Sequence, residues 1–470
     1  MENSKLIALL RTFTAQDWKQ FMAYIESPLF NARQDVVALG RYLNDHAPKL
    51  KGVNMTKEEV FGHLFPEERF DAKRLGYLMN YLLKLGEDFL GVQRLLDEGY
   101  TLPFHTMAAL SDKGLDKHFQ FLLQKMYKEL KDIGPESLER ARGRFEINRL
   151  GSRHADLLDL SSQSALRVHA QDSLDRFYVL QSLQMACGQL RNLTSNTEGL
   201  LSPLPAMVLQ FLHTHDDLPP LLQAYHALYE LLWGREEEKA LPDILDLLHN
   251  HGDLIAVEEL NTILDYVSNY CIQAYCLGSG RVARYGLAFH QFALKVKAFR
   301  QGEALDPYRF IWTIRFAIAS GYIGEARDLL EKHLSDLPEA HQDDLHQLAE
   351  GLLALHENRF AGVLDLLGSL DLQHLTHRLE AQVLVIKACY AQENLDGLLS
   401  HLADMTLLLR RDKTLEPEFR EGLKAFCYFL HQILRRNPKR KEILQQQMKA
   451  AQPLRERRWL MEVLHEEVEA

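Results

Sequence analysis

Proline and glycine are scarce in this chain, at 15 and 26 of 470 residues, both below the averages of about 5% and 7%. Few positions therefore break or loosen the backbone, and leucine is abundant, so helix is favoured throughout. Cysteine is rarer still. Cys187, Cys271, Cys276, Cys389 and Cys427 are scattered, odd in number and never in Cys-x-x-Cys spacing, which excludes a disulfide framework and a thiolate zinc site. They read as small buried hydrophobes in a reducing compartment. Long apolar runs are missing too. The opening stretch has only five apolar residues, Leu6 to Leu10, before the charge of Arg11, too few for a signal peptide. The least charged long stretch, Phe310 to Gly324, still holds Arg315 and falls short of the roughly 20 residues of a membrane span. A cytoplasmic chain with no membrane segment is expected.

Motifs that carry chemistry are absent in the same way. There are 21 histidines, but no His-Glu-x-x-His, and zinc needs three or four ligands converging on one point. The closest clusters are His374-x-x-His377-x-x-Glu380, His213-x-His215-Asp216-Asp217 and His341 with Asp344 and His346. All three read as solvated or packed histidines on helices. Gly278-Ser279-Gly280 lacks a third glycine, a preceding strand and a Lys-Ser/Thr pair, so it reads as a turn and not a phosphate loop. No Gly-x-Ser-x-Gly elbow or nucleophilic cysteine motif occurs. The expectation is a protein that is not an enzyme, with no cofactor and no metal.

What the chain does have is a repeat. Gly321-Tyr322-Ile323-Gly324-Glu325-Ala326, Asn358-Arg359-Phe360-Ala361-Gly362-Val363 and Glu393-Asn394-Leu395-Asp396-Gly397-Leu398 share one pattern. A turn-type or polar residue comes first, an apolar residue third, an apolar or small one sixth. Leu330, Leu367 and Leu402 each follow four positions later. The sixth positions are 37 and 35 residues apart (363 − 326 and 398 − 363), the period of a helix–turn–helix repeat whose pairs bury their apolar faces on one another. Gly280-Arg281-Val282-Ala283-Arg284-Tyr285 is a weaker copy upstream. Gly252-Asp253-Leu254-Ile255-Ala256-Val257 also fits the pattern, at the wrong spacing. Val383-Leu384-Val385-Ile386 has strand composition but occupies a first-helix slot and is read as helix. No Asn-Gly hairpin signal is present.

Gly321, Ala326, Pro338 and Gly351 resemble the turn glycine, second-helix small residue, closing proline and close-approach small residue of the tetratricopeptide class. Ile314 and Ile386 stand where Gly351 stands, so the likeness is to the broad tetratricopeptide-like class. It implies an α-solenoid, a right-handed array of antiparallel helix pairs, whose groove holds a protein or peptide.

Residues 1–100 read as a separate helical module ahead of this array (101–470). Leu6, Leu9, Leu10 and Phe13 line a first helix. Thr14 caps a second that carries Trp18, Phe21, Met22 and Ile25 and stops at Ser27-Pro28. A third covers Arg33 to Asn44. Thr56-Lys57-Glu58-Glu59 is a capping-box signature for a fourth, and Asp71 opens a long fifth with Leu75, Leu78, Met79, Leu82, Phe89 and Leu90 inside. Trp18-Lys19-Gln20-Phe21, the turn Ser27-Pro28-Leu29-Phe30-Asn31, Leu64-Phe65-Pro66 and Leu78 to Leu83 resemble the opening module of a group of uncharacterised bacterial helical proteins. That resemblance implies a shared fold and no activity. Further on, Leu115 to Leu130 (Phe119, Leu122, Leu123, Met126) and Asp172 to Leu190 (Leu174, Phe177, Tyr178, Leu180, Leu183) show helical periodicity. Gly199 to Pro205 is the most linker-like stretch, and Pro219-Pro220 suits a helix start.

Charge is uneven. The chain is −11 overall, yet residues 431–460 hold nine Lys or Arg against two Glu, which is +7 and leaves −18 elsewhere. An all-α scaffold or adaptor is expected, binding a protein or peptide partner through Tyr308, Trp312, Arg315, Lys387 and Tyr390, which combine aromatic area with charge. On that reading, truncating Arg315 or Lys387 leaves stability unchanged and weakens the partner. The alternative is a nucleic-acid-associated regulator that uses Arg435, Arg436, Lys439, Arg440 and Lys441 to hold phosphates.

Overall fold

The computed structural model describes residues 4–46, 56–97, 99–131, 134–153, 160–191, 204–215, 217–234, 237–368, 372, 374–412, 414–435 and 440–469. The chain is all-α: about 80% helical, with 23 helices and one pair of two-residue strands among the described residues. It divides into two compact units, Met1–Asp132 with Gly143–Ala170, and Ile133–Arg142 with Gln171–Ala470.

The first unit opens with α1 (Lys5–Leu10), α2 (Ala15–Glu26), α3 (Gln34–Asp45), α4 (Lys57–Leu64) and α5 (Ala72–Asp97), followed by α6 (Thr101–Asp112), α7 (Asp116–Lys131) and most of α8 (Leu138–Arg153). Its local signals act as expected. Thr14 with Asp17 and Thr56 with Glu59 form complete capping boxes, each satisfying two amide donors at a helix start. Ser27 leaves the helical region ahead of Pro28 and ends α2. The following turn is held by buried Asn31, whose side chain donates to the carbonyls of Ile25 and Arg33 and accepts from the Arg33 amide. Trp18 and Phe21 pack edge-on against Phe13. Two separate apolar cores result, one from Leu6 to Phe89 and one from Met107 to Leu150. Leu90 is 39% exposed, whereas Ile7 is buried. Phe89 takes the core position on α5, and its neighbour lies about 100° further round the helix.

The second unit contains most of α9 (Leu160–Arg191), then α10 (Ala206–Thr214), α11 (Pro220–Trp233), α12 (Glu237–His251), α13 (Val257–Cys276) and α14 (Val282–Lys295). A hairpin of β1 (Arg300–Gln301) and β2 (Ala304–Leu305) precedes α15 (Pro307–Ala319), α16 (Ile323–His333), α17 (Glu339–His356), α18 (Phe360–Leu367), α19 (Leu375–Ala391), α20 (Leu395–Arg411), α21 (Pro417–Ile433), α22 (Lys441–Ala450) and α23 (Arg457–Glu469). On α9 the buried stripe is Ser173, Val179, Leu180, Leu183, Ala186 and Cys187, while Leu174 and Tyr178 are exposed. The linker-like stretch falls outside the described residues up to 203, and Leu204 beyond it is buried. The hairpin turns through Gly302 at φ +63, the positive value that a two-residue hairpin loop needs at its first position. Its sequence, Gly-Glu, is not among the strong hairpin signals.

The repeat pattern marks one recurring junction. After α15, α17 and α19 the pattern's first residue has positive φ (Gly321, Asn358 and Glu393), and the same closure ends α6 at Gly114, α13 at Gly278, two residues before the weaker copy, and α14 at Lys297. At each, its amide bonds the carbonyl three residues back and the next amide bonds the carbonyl five residues back, as in Tyr322 to Ala317 (2.9 Å) and Asn394 to Cys389 (2.9 Å). This is the Schellman closure of a helix end. The residues phased by it lie in the core: Ala326, Val363, Leu398, Leu330, Leu367 and Leu402 are all at most 5% exposed. A Cβ on Gly351 would sit 2.5 Å from the Leu367 side chain, so any larger residue there makes Leu367 shift if α17 and α18 keep this approach. Val383 to Ile386 lie inside α19, all four buried. Gly252 instead opens a single turn of 3₁₀-helix, so its match to the pattern has no structural counterpart.

Candidate functional site

The expected binding residues do gather on one face. Tyr308, Trp312 and Arg315 are spaced four and three apart on α15 and so share a side of that helix. Lys387 and Tyr390 lie on α19. Glu380, two helical turns before Lys387 on α19, was not anticipated as part of this group. Its carboxylate accepts from Arg315 Nη2 at 3.0 Å and from Arg455 Nη2 at 2.8 Å. Glu456 completes the cluster, 2.5 Å from Lys387 Nζ and 3.7 Å from Arg315 Nη1. Five charges, three positive and two negative, thus interlock with side-chain exposures between 8% and 22%.

Electrostatics favour the charged forms of Glu456 and Arg315. Burial alone would raise the Glu456 carboxyl, but Lys387, Arg315 and Arg455 outweigh it and bring its pKa down to about 2. Burial likewise opposes the Arg315 charge, and Glu380 and Glu456 override it, raising the guanidinium above its ordinary value. The Nε of Arg315 is buried without an acceptor, so the cluster is not fully satisfied.

Aromatic rings surround the charges. Arg315 lies 5.4 Å from the Trp312 ring centroid, and Tyr275 meets Trp312 edge-on at 6.2 Å. Lys387 lies 5.5 Å from the ring of Trp459, which packs edge-on against Tyr390 at 5.6 Å. The Tyr390 hydroxyl donates to Glu466.

Arg455, Glu456, Trp459 and Glu466 all belong to the last segment of the chain, from the loop before α23 into that helix. The expected face is therefore filled by the protein itself. Tyr308 remains 43% exposed, Tyr390 is half-buried, and Trp312 is 2% exposed and part of the core. The expectation that Arg315 and Lys387 can be truncated without loss of stability does not suit this geometry, because each is a largely buried member of a charge network, although Glu380 keeps Arg455, and Glu456 keeps Lys387 or Arg315, after either removal.

The basic segment is less uniform than its sequence. Arg435 and Arg440 are exposed and Lys441 is half-buried in the first turn of α22, while Arg436 and Lys439 lie outside the described residues. Arg455 is paired with Glu380, Arg457 is 8% exposed and donates to the Ala451 carbonyl, and Arg458 pairs with Glu462 at 3.0 Å.

Polar side chains gather at three further places. His341, His374 and His377 converge where α17 meets α19, with ring centroids 3.9 Å apart for the stacked pair and 5.3–5.4 Å for the others. Asp344 accepts from the His374 amide and from His377 Nδ1. Burial, then the neighbouring imidazoles, lower His341; burial lowers His377 against the pull of Asp344 and Glu380. Among the described residues no group of three or more His, Cys, Asp or Glu side chains is placed to hold a metal ion. His346 is exposed, and His215 stacks on Phe211 with Asp216 outside the described residues.

A second cluster was invisible in the sequence. Arg309 Nη1 donates to Ser268 Oγ (2.6 Å), Ser268 to His290 Nε2 (2.7 Å), His290 Nδ1 to Thr313 Oγ1 (2.7 Å), and Thr313 to the Arg309 carbonyl (2.8 Å). This ring of donors requires a neutral imidazole with its proton on Nδ1. A serine donating to a histidine resembles an activated nucleophile, but Ser268 and His290 are 0% exposed, so no substrate reaches them. Burial, then Arg309, lower the His290 pKa to about 3.

The third is a cavity of about 290 Å³ lined by Gln184, Tyr225, Glu258, Glu259, Thr262 and Tyr266. The Glu259 carboxylate accepts from the Leu138 amide, Gln184 and Tyr225, a joint between segments and not a free acid. All five cysteines are free thiols; Cys276 is half-buried and the rest are buried, and burial pushes Cys187 up to about 12 and Cys427 up to about 11. Such thiols are inert packing groups.

No family model, no curated protein and no solved structure matches this chain.

Proposed function

We propose that the protein is a non-enzymatic scaffold or adaptor of the tetratricopeptide-like class, a solenoid of antiparallel helix pairs that holds a protein or peptide partner on the face shared by α15 and α19. The observation that carries this reading is the helix-end closure at the first residue of each full copy, Gly321, Asn358 and Glu393, with core residues in the same phase after all three. Recurrent pairs of this length stack into extended binding surfaces. Tyr308, 43% exposed beside the internally paired charges, leaves aromatic area on that face. The chain works in the cytoplasm on this reading, in keeping with five free thiols, and no helix among the described residues is long and apolar enough to cross a membrane.

Affinity capture of the intact protein from its native lysate, with and without nuclease and read by mass spectrometry, tests it. A defined protein recovered in both arms supports the scaffold. Recovery that collapses with nuclease moves the function to the exposed cations Arg435 and Arg440 and their basic neighbours.

A further inference from the structure

We infer that residues Pro453–Trp459 are an exchangeable occupant of the α15/α19 face. We further infer that the partner of this face is a peptide segment with the same chemistry: a basic residue, an acidic residue next to it, and an aromatic ring three positions after the acid. The second part rests on the scaffold reading; the first does not.

Two observations and two physical arguments carry the inference. The occupant meets the face mainly through charges, Arg455 on Glu380 and Glu456 on Arg315 and Lys387, with Trp459 laid against Tyr390 and Lys387. Leu454 and Arg457 are buried, and the Arg455 amide bonds the Gly422 carbonyl. Buried ion pairs are generally no more stabilising than the apolar residues that could replace them, so a charged closure gives up stability and gains specificity of fit. Glu456 sits at φ +56, a left-handed conformation that costs a residue with a Cβ, so the occupant is held at some strain that release would relieve. Finally, a face carrying Arg315, Lys387 and Glu380 stays compatible with water when uncovered, which a leucine-lined face would not. Because the occupant is tethered, its effective concentration is on the order of millimolar. A free peptide of the same sequence must compete against that.

The test uses a fluorescent peptide of residues 451–460, titrated by anisotropy against the full chain and against the full-chain variant Arg455→Glu/Glu456→Arg. Inverting both charges sets the tethered segment against Glu380, Arg315 and Lys387 and vacates the face. The expected result is at least tenfold tighter binding by the variant, lost when the peptide itself carries Glu456→Gln. A variant with unchanged helical circular dichroism that binds no better than wild type overturns the inference, as does equal binding of both peptides. Should the variant not fold, hydrogen exchange of the unaltered chain decides. Amides of 453–459 exchanging at least tenfold faster than those of α19 support local release, and equal rates overturn it. A captured partner that the peptide cannot displace sinks this inference and leaves the scaffold standing. Peptide exchange with no partner captured does the reverse.

Discussion

At the scale of single residues, two buried groups dictate how the second unit responds to acid. His290 is neutral in the folded protein, with a pKa of about 3 against an ordinary 6.5. Between those values the unfolded chain binds a proton that the folded one refuses, so stability is intact above 6.5 and falls as the pH drops toward 3. His341 and His377, also lowered, with Asp344, Asp306, Glu380 and His374 around them, act in the same direction. Glu456 works lower down: its contribution is present above 4.5 and is lost as the pH falls toward about 2. Urea midpoints should therefore decline already between pH 6.5 and 5, well before carboxylates titrate, and His290→Gln should flatten that first decline while lowering stability at pH 7. A flat wild-type profile down to pH 5 would contradict the buried neutral imidazole. Arg315→Ala removes the cation shared by Glu380 and Glu456 but leaves Arg455 on the first and Lys387 on the second, so it should cost less than the roughly 3–5 kcal/mol of a fully stranded charge, read as a lowered denaturant midpoint at pH 7. A surface arginine would cost close to nothing.

At the scale of elements, the helix junctions invite a direct measurement. Asn358 and Glu393 occupy left-handed positions where Gly278 and Gly321 stand in the other units. Replacing Glu393 with glycine should stabilise the chain by about 1 kcal/mol, and Gly321→Ala should cost about as much, since a Cβ is disfavoured at positive φ. Thermal melting of the two variants checks both signs at once. These same junctions show what the sequence could reveal. Helix starts rest on one or two adjacent side chains, so Thr14, Thr56 and Pro220 announced theirs. The repeat rests on spacing, so Ala326, Val363 and Leu398 were legible as core. Face membership was harder: nothing in the order of residues says that Arg315 meets a carboxylate at position 380 and another at 456. Spacings of 65 and 141 residues follow from the path of the chain. The Ser268–His290–Thr313 ring escaped for the same reason. Its members come from three helices and look unremarkable on each.

At the scale of the molecule, the second unit has a single continuous core from Val179 to Leu464, assembled largely from helices that touch their immediate neighbours in sequence, α13 with α14, α14 with α15 and on to α20 with α21. Arrays of that kind are cooperative only as far as their neighbour contacts reach, and long ones melt in parts. The pair Arg455 and Glu456 adds a different type of link, tying α15 and α19 to the loop before α23 and, through the Arg455 amide, to Gly422 of α21. Elements that nearest-neighbour packing would let unfold independently are thereby coupled. Arg455→Ala/Glu456→Ala should accordingly broaden the urea transition of this unit, lowering the apparent slope of stability against denaturant as well as the midpoint. Three of the four tryptophans, Trp233, Trp312 and Trp459, lie in the second unit, so fluorescence of a Trp18→Phe background reports on it alone. A midpoint that shifts at unchanged slope would mean that the charged link stabilises its own neighbourhood without joining the helices on either side of it.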